Sequence, residues 1–487
     1  MMKSTMIEML PRVEGQIRVV LQQTENDSSV LLESGRSIHM EDTLIGRYPL
    51  EAIHLTQGLS GKSGIANGIA ASMALENYLQ IKPTRQGSQL RDILLKLSTI
   101  YSHIHHFYWE LLPDFLNEHH FNHQTFTKFG YHPDLKRRGG EPNDLSEEHG
   151  YVILDHLKLA ANTLQVLQQI IASIGGKFPV IMNLIPGGVS NFEMAPGSIL
   201  ENIRRLESCK LFVEKIWPED VKIFVQEVPE SIIVFEDNQN LFSFGAVPSG
   251  KLDSANLNYS PGVLLDGKLE PINELRITES LDNTFYLPIN QSAEVGKLFD
   301  LNKLNAYTWI KGARYETETV LTGALARMLI THFGGGDINI SNTIIKLIDS
   351  LGLAVESPNC IASRMMSEAL EARFYINSIF KTLLNFDYES APNLRIPFEF
   401  SRDGSGTGKI EAPGGALYHQ VFIQEGRILQ YRIISPVNWN FSTVDEFGKT
   451  GVVETELNKL LKNYTLSPIQ VSRILHSYNA HIMEGTQ

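Results

Sequence analysis

The sequence predicts an α+β fold, mainly α, with a central helical bundle and an N-terminal β-hairpin. Three observations carry this expectation. Long stretches between residues 65 and 384 repeat their apolar positions at the helical period, the primary signal for amphipathic helices. Period-two alternation rich in β-branched residues is concentrated near the two ends, with short strands and turns over 230–290. Helices and strands do not alternate as βαβ units, which argues against a doubly wound sheet.

The elements follow in order. Residues 11–22 (PRVEGQIRVVLQ) alternate as a strand, Glu25-Asn26-Asp27 supplies a turn, and 29–33 (SVLLE) returns, giving the hairpin. A helix is expected over 65–79, its Ala- and Met-rich small faces suited to close packing. Another spans 88–117, with a break or kink at Pro113, whose ring removes a backbone donor. The charged, Gly- and Pro-containing stretch 130–149 reads as a loop. Helices follow at 150–174 and 197–217, separated by the punctuation of 183–191 (NLIPGGVSN). Further helices are expected at 318–332, 340–352 and 361–384, a hairpin at 416–435, and two short helices at the end. No internal repeat is visible, and the whole of 1–487 is expected to form a single domain.

Composition bounds function. Among 487 residues, 43% are hydrophobic and 20% charged, ordinary for a soluble globular protein. The formal charge of −13 argues against a nucleic-acid surface, which rests on Lys and Arg. No apolar run reaches the roughly 18 residues of a spanning helix, and the N-terminus is too short in its apolar part for a signal peptide. Cys209 and Cys360 stand far apart, in no CxxC pair. That fits a reducing compartment, with the cytoplasm as the expected location, and supplies no zinc or iron–sulfur framework.

Several motifs resemble those of the nickel–iron hydrogenase large-subunit family, in the order that family uses. Arg12-Val13-Glu14-Gly15-Gln16 resembles RIEGH, and 44–57 (LIGRYPLEAIHLTQ) resembles the approach to the first cysteine pair. Residues 102–115 (SHIHHFYWELLPDF) resemble the SHxxHFYxxxxPDF helix, closest in style to the soluble, bidirectional branch. PGGVS at 186–190, TWIKGARYETETVLTGALARM at 308–328, GTGKIEAPGGAL at 406–417 and PVNWN at 436–440 complete the series. The resemblance implies a large-subunit-like fold over nearly the whole chain.

The departures cluster where the resemblance implies metal chemistry. The family's RxCGxCxxxH here reads from Gly58 to Asn67, with Ser60 and Ser63 at the cysteine positions and Asn67 at the histidine. The C-terminal RxYDPCxxCxxH, aligned on Arg473, places Tyr478 and His481 at the cysteines and Glu484 at the histidine. A shift that sets His481 at the terminal histidine matches the preceding residues less well. The pocket arginine of EAPRG is Gly414, the glutamate of PxExGPLAR is Leu321, and of RGFE only Glu41 remains. In the family four thiolates hold nickel and low-spin iron. A serine hydroxyl is a hard, neutral donor that cannot replace a bridging thiolate. Active members are also trimmed after the terminal histidine, whereas this chain ends three residues past Glu484, as expected of a protein that does not enter metal maturation.

The expectation is therefore a catalytically silent homologue without a nickel–iron site, acting as a binding, scaffold or assembly partner. Its implied partner is an iron–sulfur small subunit or a hydrogenase-assembly protein. The alternative is an enzyme of another kind, with a quinone, a small anion or a hard metal in a cavity lined by Glu14, Ser60, Ser63, Tyr478 and His481. A decayed paralogue is the third reading. Glu14 is the candidate proton-path residue, and Glu14, His481 and Glu484 together suggest a hard-cation site such as magnesium. Against this stands the plainer reading, that Glu14 is a hydrogen-bonded structural carboxylate and the tail an ordinary helix end. His103 and His106 share a helix face, and His119 and His123 another, spacings that can ligate metal but also serve packing. Asp403 to Lys409 hints at a phosphate loop but fails the GxxxxGK[ST] spacing, and a strand and turn explain it better.

Overall fold

The computed structural model describes residues 3–23, 28–117, 119–120, 144–190, 195–228, 240–245, 259–287, 299–463 and 467–486. At the N-terminus the expected hairpin is a three-stranded antiparallel sheet: β1 (Lys3–Met9), β2 (Arg18–Gln23) and β3 (Ser28–Glu33), with β2 in the centre. The first predicted strand begins late, at Arg18 rather than residue 11. Pro11 has no donor, and Arg12 (φ 59°) and Gly15 (φ 104°) turn the backbone out of the extended region. The turn predicted at Glu25 to Asp27 lies outside the described residues, as do residues 130–143 of the predicted loop; Glu147 to His149 are helical.

The helices are α1 (Gly64–Leu79), α2 (Arg85–His105), α3 (Glu147–Gly175), α4 (Pro196–Leu211), α5 (Trp217–Glu227), α6 (Ala324–Phe333), α7 (Ile338–Ser350) and α8 (Ile361–Leu384). α8 packs against α2, α5 and α6, and α3 against α2 and α4, which makes the bundle. Past His105 the helix widens over His106–Leu111, then tightens over Leu112–Phe115, where Pro113 sits, as expected. The helix predicted at 197–217 runs on through a wide turn at Phe212–Ile216 into α5. The one predicted from 318 begins only at Ala324, because Tyr315 and Glu318 close a turn and Gly323 holds φ 127°. The chain ends in α9 (Val452–Asn463), α10 (Pro468–His476) and the single turn α11 (Ile482–Gly485).

A second three-stranded antiparallel sheet, β4 (Gly404–Ala412), β5 (Gly415–Gln424) and β6 (Arg427–Ile434), carries the hairpin expected at 416–435. Its β4 lies on α1, so the small-residue helix face meets a strand rather than another helix. The approach is possible only without side chains. A Cβ at Gly408 would stand 2.0 Å from the Ala70 carbonyl oxygen, and one at Gly406 2.1 Å from that of Ala74. The glycines that hint at a phosphate loop are thus contact points.

Candidate functional site

The segment from residue 51 to 64 sets the site. A short helix, Glu51–Leu55, and a tight turn, Thr56–Leu59, bring Ser60 into an extended conformation ahead of α1. Gln57 pins the turn: its amide nitrogen donates to the carbonyls of Ile53 (3.0 Å) and Ile181 (3.1 Å), and its oxygen accepts from Ile181 N–H (2.8 Å). A Cβ at residue 64 would lie 2.6 Å from the Gln57 carbonyl oxygen, so Gly64 is required for α1 to start here.

Ser60 Oγ accepts from the N–H groups of Lys62 and Ser63, both at 3.1 Å, and donates to Glu14 Oε2. Gly61 N–H donates to Glu14 Oε1 at 2.9 Å. Ser63 Oγ donates to Glu484 Oε1 and lies 2.7 Å from His481 Nδ1. Asn67 Nδ2 donates to the same Glu484 oxygen at 2.8 Å, and Asn67 Oδ1 pairs with His419 Nε2 at 3.1 Å. Burial pushes the His419 imidazole down to about 3, so it is neutral there. Ser63, Asn67, His481 and Glu484 are fully enclosed. Glu484 Oε2 has no hydrogen bond, and His481 Nδ1 is 3.7 Å away.

Asn479 connects this cluster to a second buried polar group. Its Nδ2 donates to Glu368 Oε1 (3.2 Å) and meets His103 Nδ1 (3.2 Å), which orients its oxygen toward His481 Nε2 (3.1 Å) as the acceptor. His103 Nε2 pairs with Glu371 at 2.7 Å, and His106 Nδ1 with Glu368 at 2.8 Å. Arg327 grips Glu371 through two nitrogens and Glu411 through a third. Burial alone would raise the Glu371 carboxyl, but Arg327 and His103 hold it well below the usual range.

Of the four positions that the motif resemblance aligns with the family's cysteines, Ser60, Ser63 and His481 lie together, Ser60 Oγ being 3.5 Å and Ser63 Oγ 2.7 Å from His481 Nδ1. Tyr478 does not join them. Its hydroxyl donates to Glu456, and the Arg364 guanidinium covers its ring at 4.0 Å. Tyr478, Leu321 and Gly414 line a separate cavity of about 20 Å³, room for one water and too small for a quinone or an organic anion. The single cavity expected from the sequence is thus two regions, divided at Asn479. Nor do Glu14, His481 and Glu484 assemble a cation site. The two carboxylates are engaged by different serines, and among the described residues no group of three His, Cys, Asp or Glu side chains is arranged to hold a metal ion. His103 and His106 are held by glutamates, His119 is exposed, and His123 lies outside the described residues.

Glu41, the one residue that matches the RGFE motif, is half-buried. It receives Lys311 and the N–H of Ile433. The sequence reading missed Glu368, Glu371, Arg327, Asn479 and His419 as members of this interior. One signal was available: glutamates three apart on α8 match histidines three apart where α2 runs into its widened end, so two helix faces are complementary.

Residues 39–123 and 139–482 match the nickel-dependent hydrogenase family. The chain belongs to this family. It is 24% identical to the periplasmic NiFeSe hydrogenase large subunit of Desulfomicrobium baculatum, over 97% of this chain and 92% of that one. It is also 24% identical to the Hydrogenase-2 large chain of Escherichia coli (97% and 95%), and 22% identical to the quinone-reactive Ni/Fe-hydrogenase large chain of Wolinella succinogenes (99% and 96%). In fold it is similar to the Ni-Fe-Se hydrogenase of D. vulgaris Hildenborough in the reduced state, with a TM-score of 0.84 at 21% identity over all of both chains.

Membership implies a nickel centre, and the donors present test that implication. Around Ser63 the structure gathers hydroxyls, an imidazole, an amide and carboxylates. The chain's two cysteines are engaged elsewhere. Cys209 is buried beside Thr163, its thiol pushed up to about 11 by burial, and Cys360 caps α8 by accepting from Ser363 N–H. This set of oxygen donors with one imidazole and no thiolate does not fit a thiolate-held nickel–iron centre.

Proposed function

We propose that this chain is a large-subunit homologue that has lost all four metal-ligating cysteines, builds no nickel–iron centre and is catalytically silent as a hydrogenase. It acts by binding, as the scaffold or assembly partner within a hydrogenase-like complex. Its partner is an iron–sulfur small subunit or a protein of hydrogenase assembly. The observation that carries this is the commitment of both serine hydroxyls. Ser60 serves Glu14 and Ser63 serves Glu484, so each donor at a position corresponding to a thiolate is spent inside the protein. The relatives named above are large subunits or large chains, which supports a heteromeric role. Residence in the cytoplasm belongs to the same reading, supported by two free, buried cysteines.

The test is metal content by mass spectrometry on protein purified from its native source with partners attached. The expected result is no nickel, with iron confined to a co-purifying chain. Nickel and iron in equal, stoichiometric amounts on this chain would overturn the proposal. Recovery of the free chain alone under gentle conditions would remove the partner role.

A further inference from the structure

A seam of histidines and carboxylates joins α3 to α5. His156 Nδ1 lies 2.8 and 3.1 Å from the two carboxylate oxygens of Asp220. His149, seven residues earlier on α3, has its Nδ1 3.2 Å from Oε1 of Glu227, seven residues later on α5. The spacings match as they do on antiparallel helices, where facing positions recur about every two turns. The two pairs differ in depth. His149 and Glu227 are 41% and 30% exposed, so water screens their attraction. His156 is 32% exposed, but the Asp220 side chain beneath it is fully enclosed.

Asp220 stands between that half-exposed imidazole and the interior. Its Oδ2 accepts from the Tyr108 hydroxyl. One turn further along α5, Phe224 meets Phe107 and Phe115 edge to face at 6.0 and 4.7 Å. Tyr108 and Phe107 belong to the wide turn His106–Leu111, a form of helix frequent at functional sites. The same turn presents His106 to Glu368 and Glu110 to Lys62. A surface histidine is thus linked, through one buried carboxylate, to the segment that carries a member of the interior network.

No lysine or arginine pairs with Asp220 among the described residues, so His156 is its cation. Burial raises the Asp220 carboxyl, against its bonds to His156 and Tyr108. The hydrogen bond and charge of Asp220 in turn raise the His156 imidazole above its ordinary value. Asp155 on α3 and Glu219 on α5 add negative charge nearby, Glu219 being held by Lys222 at 3.1 Å. A neutral imidazole can still donate from Nδ1, but it leaves the enclosed carboxylate without a counter-charge. Because the folded value is the higher one, the pair's contribution is full below about pH 6.5. It is lost as pH rises through the folded value.

We propose that His156 is a pH sensor: loss of its proton loosens α5 and, through Tyr108, the wide turn that positions His106 and Glu110. The device needs neither a metal nor a partner chain, so it stands apart from the proposed function.

Hydrogen exchange on the full chain from about pH 5.5 to 8.5, corrected for the intrinsic effect of pH, tests it. Protection in α5 and residues 106–111 should fall relative to the other helices. The expected fall is about tenfold for each unit separating the folded and open-state values of His156. His156→Gln keeps a donor without a titrating charge, and should hold both segments at the wild-type high-pH level throughout. His149→Gln should leave the response in place. Tyr108→Phe should keep it in α5 and remove it from 106–111. A wild-type change below about twofold would overturn the proposal. So would a fall shared by all helices, a response that survives His156→Gln, or one that His149→Gln abolishes.

Discussion

The two buried polar regions that meet at Asn479 solve the same problem by different means. Around Arg327, carboxylates are met by full positive charge and by imidazoles; around Ser63, they are met by hydroxyls and an amide. The first arrangement binds α2, α6, α8 and β4 together through Arg327, the one cation bonded to both Glu371 and Glu411 among the described residues. The second joins α1 to the C-terminal tail with weaker, interchangeable donors. One is a structural lattice that any loss should damage, and the other is a place where chemistry can change while the fold persists.

The comparison can be broken most sharply at Arg327. Arg327→Met strands Glu371 and Glu411 without their cation, and should cost roughly 3–5 kcal/mol in denaturant unfolding. A loss below about 1 kcal/mol would mean that the lattice is not the stronger region.

Glu454 sharpens the contrast, because it is a buried carboxyl with no cation bonded to it. It accepts from Leu32 N–H on β3 and lies 3.4 Å from the Tyr307 hydroxyl; burial raises its carboxyl from 4.5 to about 7. Its folded value is raised, so its protonated form is favoured in the fold. The stability this confers is full at acid pH and is lost as pH rises from about 4.5 to 7. The loss should approach about 3 kcal/mol. Glu454→Gln should flatten that part of the stability–pH curve, and a wild-type curve already flat there would refute the assignment.

The joint itself comes next. Asn479→Ala removes the donor to Glu368 and the acceptor for His481, and should cost about 1–3 kcal/mol, read as a lower melting temperature. The smallest effect is expected from replacing Ser60 and Ser63 together by cysteine. Stability should fall by about 1 kcal/mol, because a thiol keeps a weakened donor to Glu14 and Glu484 rather than leaving them bare. The variant should still take up no nickel, since Tyr478 and His481 supply no thiolate. Stoichiometric nickel in that variant would show that two thiols suffice.

The elements whose pattern is local were legible in the sequence. The 361–384 helix stands where its period placed it, and so does the break near Pro113. β1 was missed because residues 3–9 gain their meaning only by pairing with β2. At the site, the motif resemblance offered positions but not the directions of their side chains. Tyr478 follows α10 directly, yet its hydroxyl is drawn to Glu456, and only the folded neighbourhood shows this. The Arg327 lattice was unread for a related reason. Its partners are 44 and 84 residues away in sequence, and no local period marks them.

The close seat of β4 on α1 has a consequence for inheritance. Gly406 and Gly408 hold the strand at the distance that positions the start of α1, and with it Ser63 and Asn67. Those glycines take no part in the chemistry at the helix's end. Changes at residues 60, 63 and 67 therefore leave the spacing of helix and sheet untouched. Shape and reactivity are set by different letters of the sequence, so a lineage can lose the second and still transmit the first intact.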